Sequence, residues 1–346
     1  MSSSTINSIK QKIFIYSTET LGFDDCRFTD PFVGESLEEY KSWLKQGLHG
    51  EMKYLEEHSQ FKENPDWLLK GVRSAMVLIK NYKNTSRRRL EDSFKIARYA
   101  VGQDYHTVMQ NRLKELCDFI KIDHPESEFY YGVDSRPLPE RSLALKAGIG
   151  FRGKNTMVIK PGLGSYFFIG VILTTQSFDN DSPLNWNCGN CRRCLDACPT
   201  GALVPTAPVS EDRSPIFGGT SARSSSSPSS APQQSYSLDA TQCISYLTIE
   251  KKQPLSAAEV KKTDGWIFGC DICQEVCPYN HGQTPLTDWK EFHPDAGVGF
   301  DFFQKEIQET DIPKTTPLYR SRKRVVPNLK LAKFMSRSLF TPIEKF

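Results

Sequence analysis

Hydrophobic and polar positions along the first half of the chain switch between helical and strand spacing. Ser74–Tyr82 (SAMVLIKNY) is a short apolar run of strand length, and Glu128–Val133 (EFYYGV) is aromatic and β-like. Between them, Asp104–Ile122 brings Val108, Leu113, Leu116, Cys117 and Ile120 roughly onto one face of a helix. Ser36 and Glu39 form an S-x-x-E signature that predicts a helix running towards His58. Pro139–Gly148 suits a helix with Pro near its first turn and Gly at its end. Met157–Lys160, the turn Pro161-Gly162-Leu163-Gly164, and Ser165–Thr175 read as a hairpin. The expectation is an α/β (α+β) core over residues 1–180.

Composition then narrows the class. With 346 residues the chain has room for two domains, and 38% hydrophobic with 25% charged residues predicts that most of it folds. No apolar run approaches the ~20 residues that a membrane-spanning helix requires. Met1–Tyr16 lacks the apolar core and small-residue cleavage site of a signal peptide, so a cytoplasmic location, no membrane and a monomer are expected. The balance of 44 basic against 41 acidic residues neither requires nor excludes a nucleic-acid partner. Residues 205–237 hold 11 Ser, 5 Pro and 2 Gly in 33 positions, too little apolar surface to offset ordering, and read as a disordered insertion. The segment Lys314–Phe346 carries nine basic residues and one acidic one, including Arg320, Arg322, Lys323 and Arg324. It reads either as a solvated tail or as a phosphate-binding patch.

Ten cysteines change the picture, because eight of them lie within 90 residues. Cys188-x2-Cys191-x2-Cys194-x3-Cys198-Pro199 has the spacing of a bacterial ferredoxin run. The x2 steps let three thiolates converge on one cubane, and the x3 step turns the fourth towards a second cluster. Cys270-x2-Cys273-x3-Cys277-Pro278 repeats the ending with one cysteine fewer, and Cys243 can supply it. The crossed assignment gives one [4Fe–4S] cluster to Cys188, Cys191, Cys194 and Cys277, and a second to Cys198, Cys243, Cys270 and Cys273. Zinc is the competing metal, since four-cysteine zinc sites also use C-x2-C pairs. Cys26 and Cys117 read as ordinary thiols. Two adjacent clusters make an electron relay, so the more than 180 residues before Cys188 should hold the electron acceptor. The module is expected over 181–300, with a basic segment over 301–346 packing on the core or contacting RNA.

Asp134 follows the aromatic strand and has two readings, a helix cap or a general acid whose carboxyl burial would keep protonated. Glycines crowd Phe151-Arg152-Gly153-Lys154-Asn155, where backbone could approach a large flat ligand or simply turn. These glycines do not form a GxGxxG turn between a strand and a helix, nor a Walker loop, and no D-x-H-x-x-G, the pattern of a histidine cobalt ligand, is present.

The chain resembles the epoxyqueuosine reductases, a family related to reductive dehalogenases. The resemblance is carried by Ile96-Ala97-Arg98-Tyr99-Ala100, Asp104-Tyr105-His106, Val133-Asp134-Ser135, Gly148-Ile149-Gly150-Phe151, Cys243-Ile244-Ser245-Tyr246 and Gly269–Pro278 (GCDICQEVCP). It implies a nitroreductase-like core that binds cobalamin without a histidine on cobalt, joined to a ferredoxin-like module with two [4Fe–4S] clusters. It also implies reduction of epoxyqueuosine to queuosine at the wobble position of tRNA, fed by an unidentified electron donor. The family's proton donor falls on Asp134. Its cobalamin contacts fall near Ala97, Asp134, Lys154, Ile169, Ser245 and Asp271, and Lys251 falls at the tRNA. The chain departs from the family in the 205–237 insertion and in the loosened Thr316–Arg324 segment. Three other readings are a corrinoid reductase with a small-molecule substrate, a non-catalytic electron-transfer protein, and a zinc-stabilised RNA-binding protein.

Overall fold

The computed structural model describes residues 3–84, 94–206 and 235–338. Helix α1 (Ser3–Ile15) leads to strand β1 (Asp25–Thr29), then α2 (Glu35–Lys45) and α3 (Tyr54–Glu63). The single helix expected from Ser36 towards His58 is thus broken in two. Ser36 lies inside α2, behind a Gly34 N-cap with no side-chain cap bond. Gly47 then adopts φ 68, a left-handed turn that stops α2.

The main sheet follows from β2 (Ser74–Asn81). After β3 (Lys95–Ile96) come α4 (Tyr105–Asp123), β4 (Phe129–Gly132), α5 (Glu140–Lys146), β5 (Phe151–Arg152), β6 (Val158–Ile159) and β7 (Phe167–Thr174). The sheet order is β1-β2-β7-β4 with every neighbour antiparallel. All of β2 is buried, which is why it reads as a continuous apolar run. Met76 and Leu78 pack with Ile13 of α1 and with Met109, Leu113 and Leu116 of α4. Ala75, Val77 and Ile79 pack on the other face with Leu143 and Ala144 of α5. The expected hairpin across Pro161–Gly164 closes only at its turn, through a single antiparallel bridge between Lys160 and Gly164, and its strands do not pair beyond it. β6 pairs with β5, whereas β7 lies between β2 and β4, the central slot that covers both of its apolar faces.

The second half contributes α6 (Arg193–Ala197), β8 (Leu203–Pro205), β9 (Tyr236–Leu238), α7 (Ile244–Ile249), α8 (Ala257–Lys262), β10 (Trp266–Phe268), α9 (Ile272–Glu275) and α10 (Arg322–Ser338). β10 pairs in parallel with β3, so the two halves share a ladder. β8 pairs antiparallel with β9, joining Leu203 to Leu238 and Pro205 to Tyr236. The ends of the 205–237 stretch are therefore ordered, because backbone pairing satisfies them where apolar burial cannot. Its middle, 207–234, lies outside the described residues. The basic C-terminal segment is not a solvated tail as far as Ser338. Val325, Val326, Leu329 and Ala332 of α10 join a second core with Leu247, Val260, Ile267 and Phe303. Each larger side chain buried there contributes about 1.5–3 kcal/mol. Residues 339–346 lie outside the described residues. Among the described residues no helix is long and apolar enough to cross a membrane.

Candidate functional site

Local folding gathers the eight cysteines into two groups. α6 carries Cys194 and α9 carries Cys273, and these two short helices pack on each other. Cys194 faces Cys188, Cys277 and Cys191, and their mutual repulsion adds to burial in pushing its thiol up to about 11. Cys270 faces Cys243 and Cys198, and Cys273 faces Cys270 and Cys243. Cys273 also feels Cys194, so the two groups adjoin. Cys26 and Cys117 are buried elsewhere, in the core beneath the main sheet.

The first group fits a polynuclear cluster. Among the described residues no three His, Cys, Asp or Glu side chains close on one point as a single ion would require. The four sulfurs ring a recess of about 40 Å³, also lined by Lys154, Arg193 and Pro278. That is roughly three times the space one water needs. Backbone N–H groups point at the sulfurs: Lys154 N donates to Cys188 Sγ at 3.4 Å, and Ser245 and Tyr246 donate to Cys243. Such bonds stabilise thiolates and tune a cluster's potential.

One turn of the core holds both groups. Lys154 Nζ donates to the carbonyls of Gly189 (2.8 Å) and Cys191 (3.0 Å), on the first cysteine loop. Asn155 Nδ2 donates to the carbonyl of Cys273 at 3.4 Å, on the second. Sequence spacing gave no sign of this clamp.

Asp134 sits in a loop just past β4 with φ 42, a left-handed conformation that a non-glycine residue holds only when its surroundings fix it. Tyr105 O–H donates to Asp134 Oδ2 at 2.7 Å, and His106 Nε2 lies 3.4 Å from the same oxygen. Asp104 completes the constellation. It caps α4 by accepting from His106 N–H, and its Oδ1 lies 2.6 Å from His106 Nδ1. The Asp134 side chain is 70% exposed. Tyr54 and Lys62 of α3, Tyr99, Glu140 of α5 and Glu250 lie near enough to feel its charge. Glu140 Oε1 is buried there without a hydrogen-bond partner, and burial pushes that carboxyl up.

The expectation that burial keeps Asp134 protonated needs correcting. The protein crowded around the carboxyl does push it up. Hydrogen bonds from His106 and Tyr105, with the charges of His106 and Arg141, outweigh this and hold it below the ordinary carboxylate value. His106 is shifted the other way: burial lowers it, but its bonds to Asp104 and Asp134 raise it overall. Nor does Asp134 cap a helix; α5 begins at Glu140 behind Pro139. Asp104, Tyr105 and His106 received no roles from sequence reasoning, although an N-cap Asp two residues before a His was a readable signal.

The remaining residues singled out from the sequence lie in three places. Ala97 and Asp271 adjoin the second cysteine group: Ala97 packs with Ile244, Trp266 and Cys270, and Asp271 Oδ2 accepts from Arg98 N–H at 2.8 Å. Ser245 stands beside Cys243 at the start of α7. Ile169 is on β7, opposite Ile79, and Lys154 is in the β5–β6 turn, donating to the first cysteine loop. The Lys251 ammonium is taken up by Glu259 Oε1 at 2.6 Å, so an RNA contact would have to break that pair. The acid and the second cysteine group share neighbours. Arg141 acts on both Asp134 and Cys243, and Tyr99 feels both Asp134 and Asp271.

Two family models match the chain: epoxyqueuosine reductase QueG over residues 62–135, and the 4Fe-4S double cluster binding domain over residues 225–280. An epoxyqueuosine reductase of Cyclobacterium marinum is 34% identical over 295 residues, which is 84% of this chain and 85% of its own. A crystal structure of an epoxyqueuosine reductase with an epoxyqueuosine-modified tRNA-Tyr stem loop aligns at TM-score 0.75 and 26% identity, covering 94% of this chain and 81% of its own. The Bacillus subtilis enzyme, with its catalytic loop swung out of the active site, aligns at TM-score 0.74 and 25% identity over the same shares.

Proposed function

Because the chain belongs to the epoxyqueuosine reductase family, we propose that it reduces epoxyqueuosine to queuosine in the anticodon of tRNA. Cys188, Cys191, Cys194 and Cys277 would hold one [4Fe–4S] cluster and Cys198, Cys243, Cys270 and Cys273 a second, as a source of electrons for a cobalamin that would lie beside Asp134. The observation that carries this reading is the shared wall: Arg141 and Tyr99 border both the acid and the second cysteine group. An electron source and a proton source therefore flank one space.

Two features near Asp134 support a polar cofactor and its substrate there: its carboxyl is accessible, and Glu140 holds an acid oxygen without a hydrogen-bond partner. Ala97, Ser245 and Asp271 would border the cofactor on the cluster side, Ile169 at the sheet, and Lys154 at the clamp. When bound, the clusters supply single low-potential electrons and the cobalamin a nucleophilic cobalt.

The chain's own residues do the proton chemistry. Asp134 Oδ2 presents a proton to the epoxide oxygen as the C–O bond opens, which offsets developing alkoxide charge. Tyr105 fixes the carboxyl's orientation through its 2.7 Å bond, with its own ring stacked on Phe168 at 4.1 Å. The exposed guanidinium of Arg320 and the basic face of α10 supply phosphate contacts, giving RNA affinity that falls with salt. Cytoplasmic, monomeric action with a low-potential protein donor completes the reading.

The test is anaerobic reconstitution with iron, sulfide and cobalamin, then turnover of epoxyqueuosine-bearing stem-loop RNA under a chemical reductant. Queuosine should form, and Asp134→Asn should keep both cofactors while losing about 10²–10⁴-fold in rate. A wild-type protein that loads both cofactors and leaves the RNA untouched would overturn the proposal.

A further inference from the structure

Opening an epoxide to an alkene breaks two C–O bonds, forms one C=C bond and releases the oxygen as water. The balance needs two electrons and two protons. The electrons come through the clusters from the external reductant. Asp134 has one acidic site and rests as a carboxylate, so it must be loaded once for each proton it delivers.

We infer that Asp104 and His106 form a proton relay that reloads Asp134, with His106 delivering the second proton of each turnover. This rests on the function proposed above. The geometry is a linear chain of acceptor, imidazole and acceptor: Asp104 Oδ1 to His106 Nδ1 at 2.6 Å, then His106 Nε2 to Asp134 Oδ2 at 3.4 Å. The second link is long, as catalytic hydrogen bonds often are before substrate binds. Asp104 and His106 are 9% and 8% exposed, so the relay is shielded from water along most of its length.

Position in the fold makes the relay stiff. Asp104 is anchored as the N-cap of α4, and the His106 ring stacks on Tyr105 at 4.1 Å. The charged groups facing it are few. Asp104 and Asp134 flank the imidazole, Tyr105 donates to Asp134, Arg320 NH2 stands 3.8 Å from Asp104 Oδ2, and Arg141 of α5 acts on Asp134. Arg320 is 57% exposed, so the Asp104 end of the constellation lies near solvent.

The step balances at each atom. Protonated His106 passes the Nε2 proton to Asp134 Oδ2 and becomes a neutral imidazole. Its other proton stays on Nδ1, hydrogen-bonded to Asp104 Oδ1, which fixes the tautomer and leaves Nε2, beside the exposed Asp134 carboxyl, as the nitrogen that is reloaded. Asp134 then delivers the proton to the departing oxygen, and His106 takes another from water. The carboxylate that Tyr105 and His106 stabilise is thus the resting form of Asp134 between deliveries.

The direction of the pH effect follows. The His106 value is raised, so the imidazolium persists above the ordinary 6.5, and the relay stays loaded below its folded value and empties as pH rises through it.

The experiment measures single-turnover rates of the cluster- and cobalamin-loaded enzyme on epoxyqueuosine stem-loop RNA, at several pH values from 5.5 to 9. Wild type should be flat in acid and fall above its His106 inflection. His106→Gln should lose about 10²-fold at pH 7.5 and recover steadily towards acid, with the inflection gone. Asp104→Asn should keep an inflection but move it to lower pH. In parallel, ¹⁵N-histidine NMR of the same proteins reads the His106 titration directly among only six histidines. A His106→Gln loss that is equal at every pH would mean a merely structural role and would overturn the relay. So would a His106 resonance that is neutral throughout. If His106→Gln does not fold, the Asp104→Asn shift and the NMR titration decide alone. Wild type that converts no RNA at any pH would instead count against the proposed function.

Discussion

Gly269 is a position where a single methyl group should disturb the second cysteine group. It precedes Cys270 and adopts φ 68, and a Cβ built there would lie 2.5 Å from the Ala97 Cβ. Ordinary carbon contacts are about 3.5–4.0 Å, so roughly 1 Å of overlap must be relieved. Ala97 cannot yield: it is 1% exposed, and its N–H donates to Phe268 O at 2.8 Å within the β3–β10 ladder. Gly269 N–H is itself held by Thr248 Oγ1 at 3.0 Å. The left-handed backbone costs an L residue about 1–2 kcal/mol and overpacking about 1–3 kcal/mol. Gly269→Ala should therefore destabilise by about 2–5 kcal/mol and pull Cys270 out of its group. The assay is urea unfolding of the cluster-loaded protein, followed by circular dichroism and cluster absorbance, for wild type, both single variants and Ala97→Gly/Gly269→Ala. The double variant should recover the overlap but not the backbone strain, giving a coupling of about 1–3 kcal/mol. A Gly269→Ala midpoint within about 0.5 kcal/mol of wild type, or a coupling near zero, would refute the packing argument.

Two further expectations follow from the cysteine groups and the β8–β9 ladder. Cys243→Ser removes one of four ligands from the second group and should lower bound iron from about eight to about four per chain; elemental analysis showing full iron would break the crossed assignment. Joining Thr206 to Ser235 through a short turn, with 207–234 deleted, should leave iron content and turnover nearly unchanged, because the ladder already holds both ends. A folded, iron-loaded deletion without activity would show that the segment takes part in the reaction.

The central strand, α4 and the fourth strand were legible because their periodicity was strong and their burial local to each element. Boundaries failed where a backbone choice overrode pattern. Ser36 did not cap a helix because Gly34 already began it, and the hairpin across Pro161–Gly164 did not extend beyond its turn because β7 had a better-buried place in the sheet. The basic segment misled in the other direction. Charge dominates its composition, yet Val325, Val326 and Leu329 recur at helical spacing and decide where it packs.

For the site, the cysteine spacing alone determined that eight thiolates would gather in fours, since short x2 and x3 steps constrain sulfur positions whatever surrounds them. Tertiary structure decided everything about protons. Whether Asp134 is acid or carboxylate depends on a tyrosine and a histidine 29 and 28 residues away in the chain, brought to its oxygen by the crossing of α4 and the end of β4. The same holds for the Lys154–Asn155 clamp, whose partners are carbonyl groups that carry no sequence identity at all. A covalent spacing is local and survives in one dimension; a protonation state is set by a field, and a field exists only once the chain has folded around it.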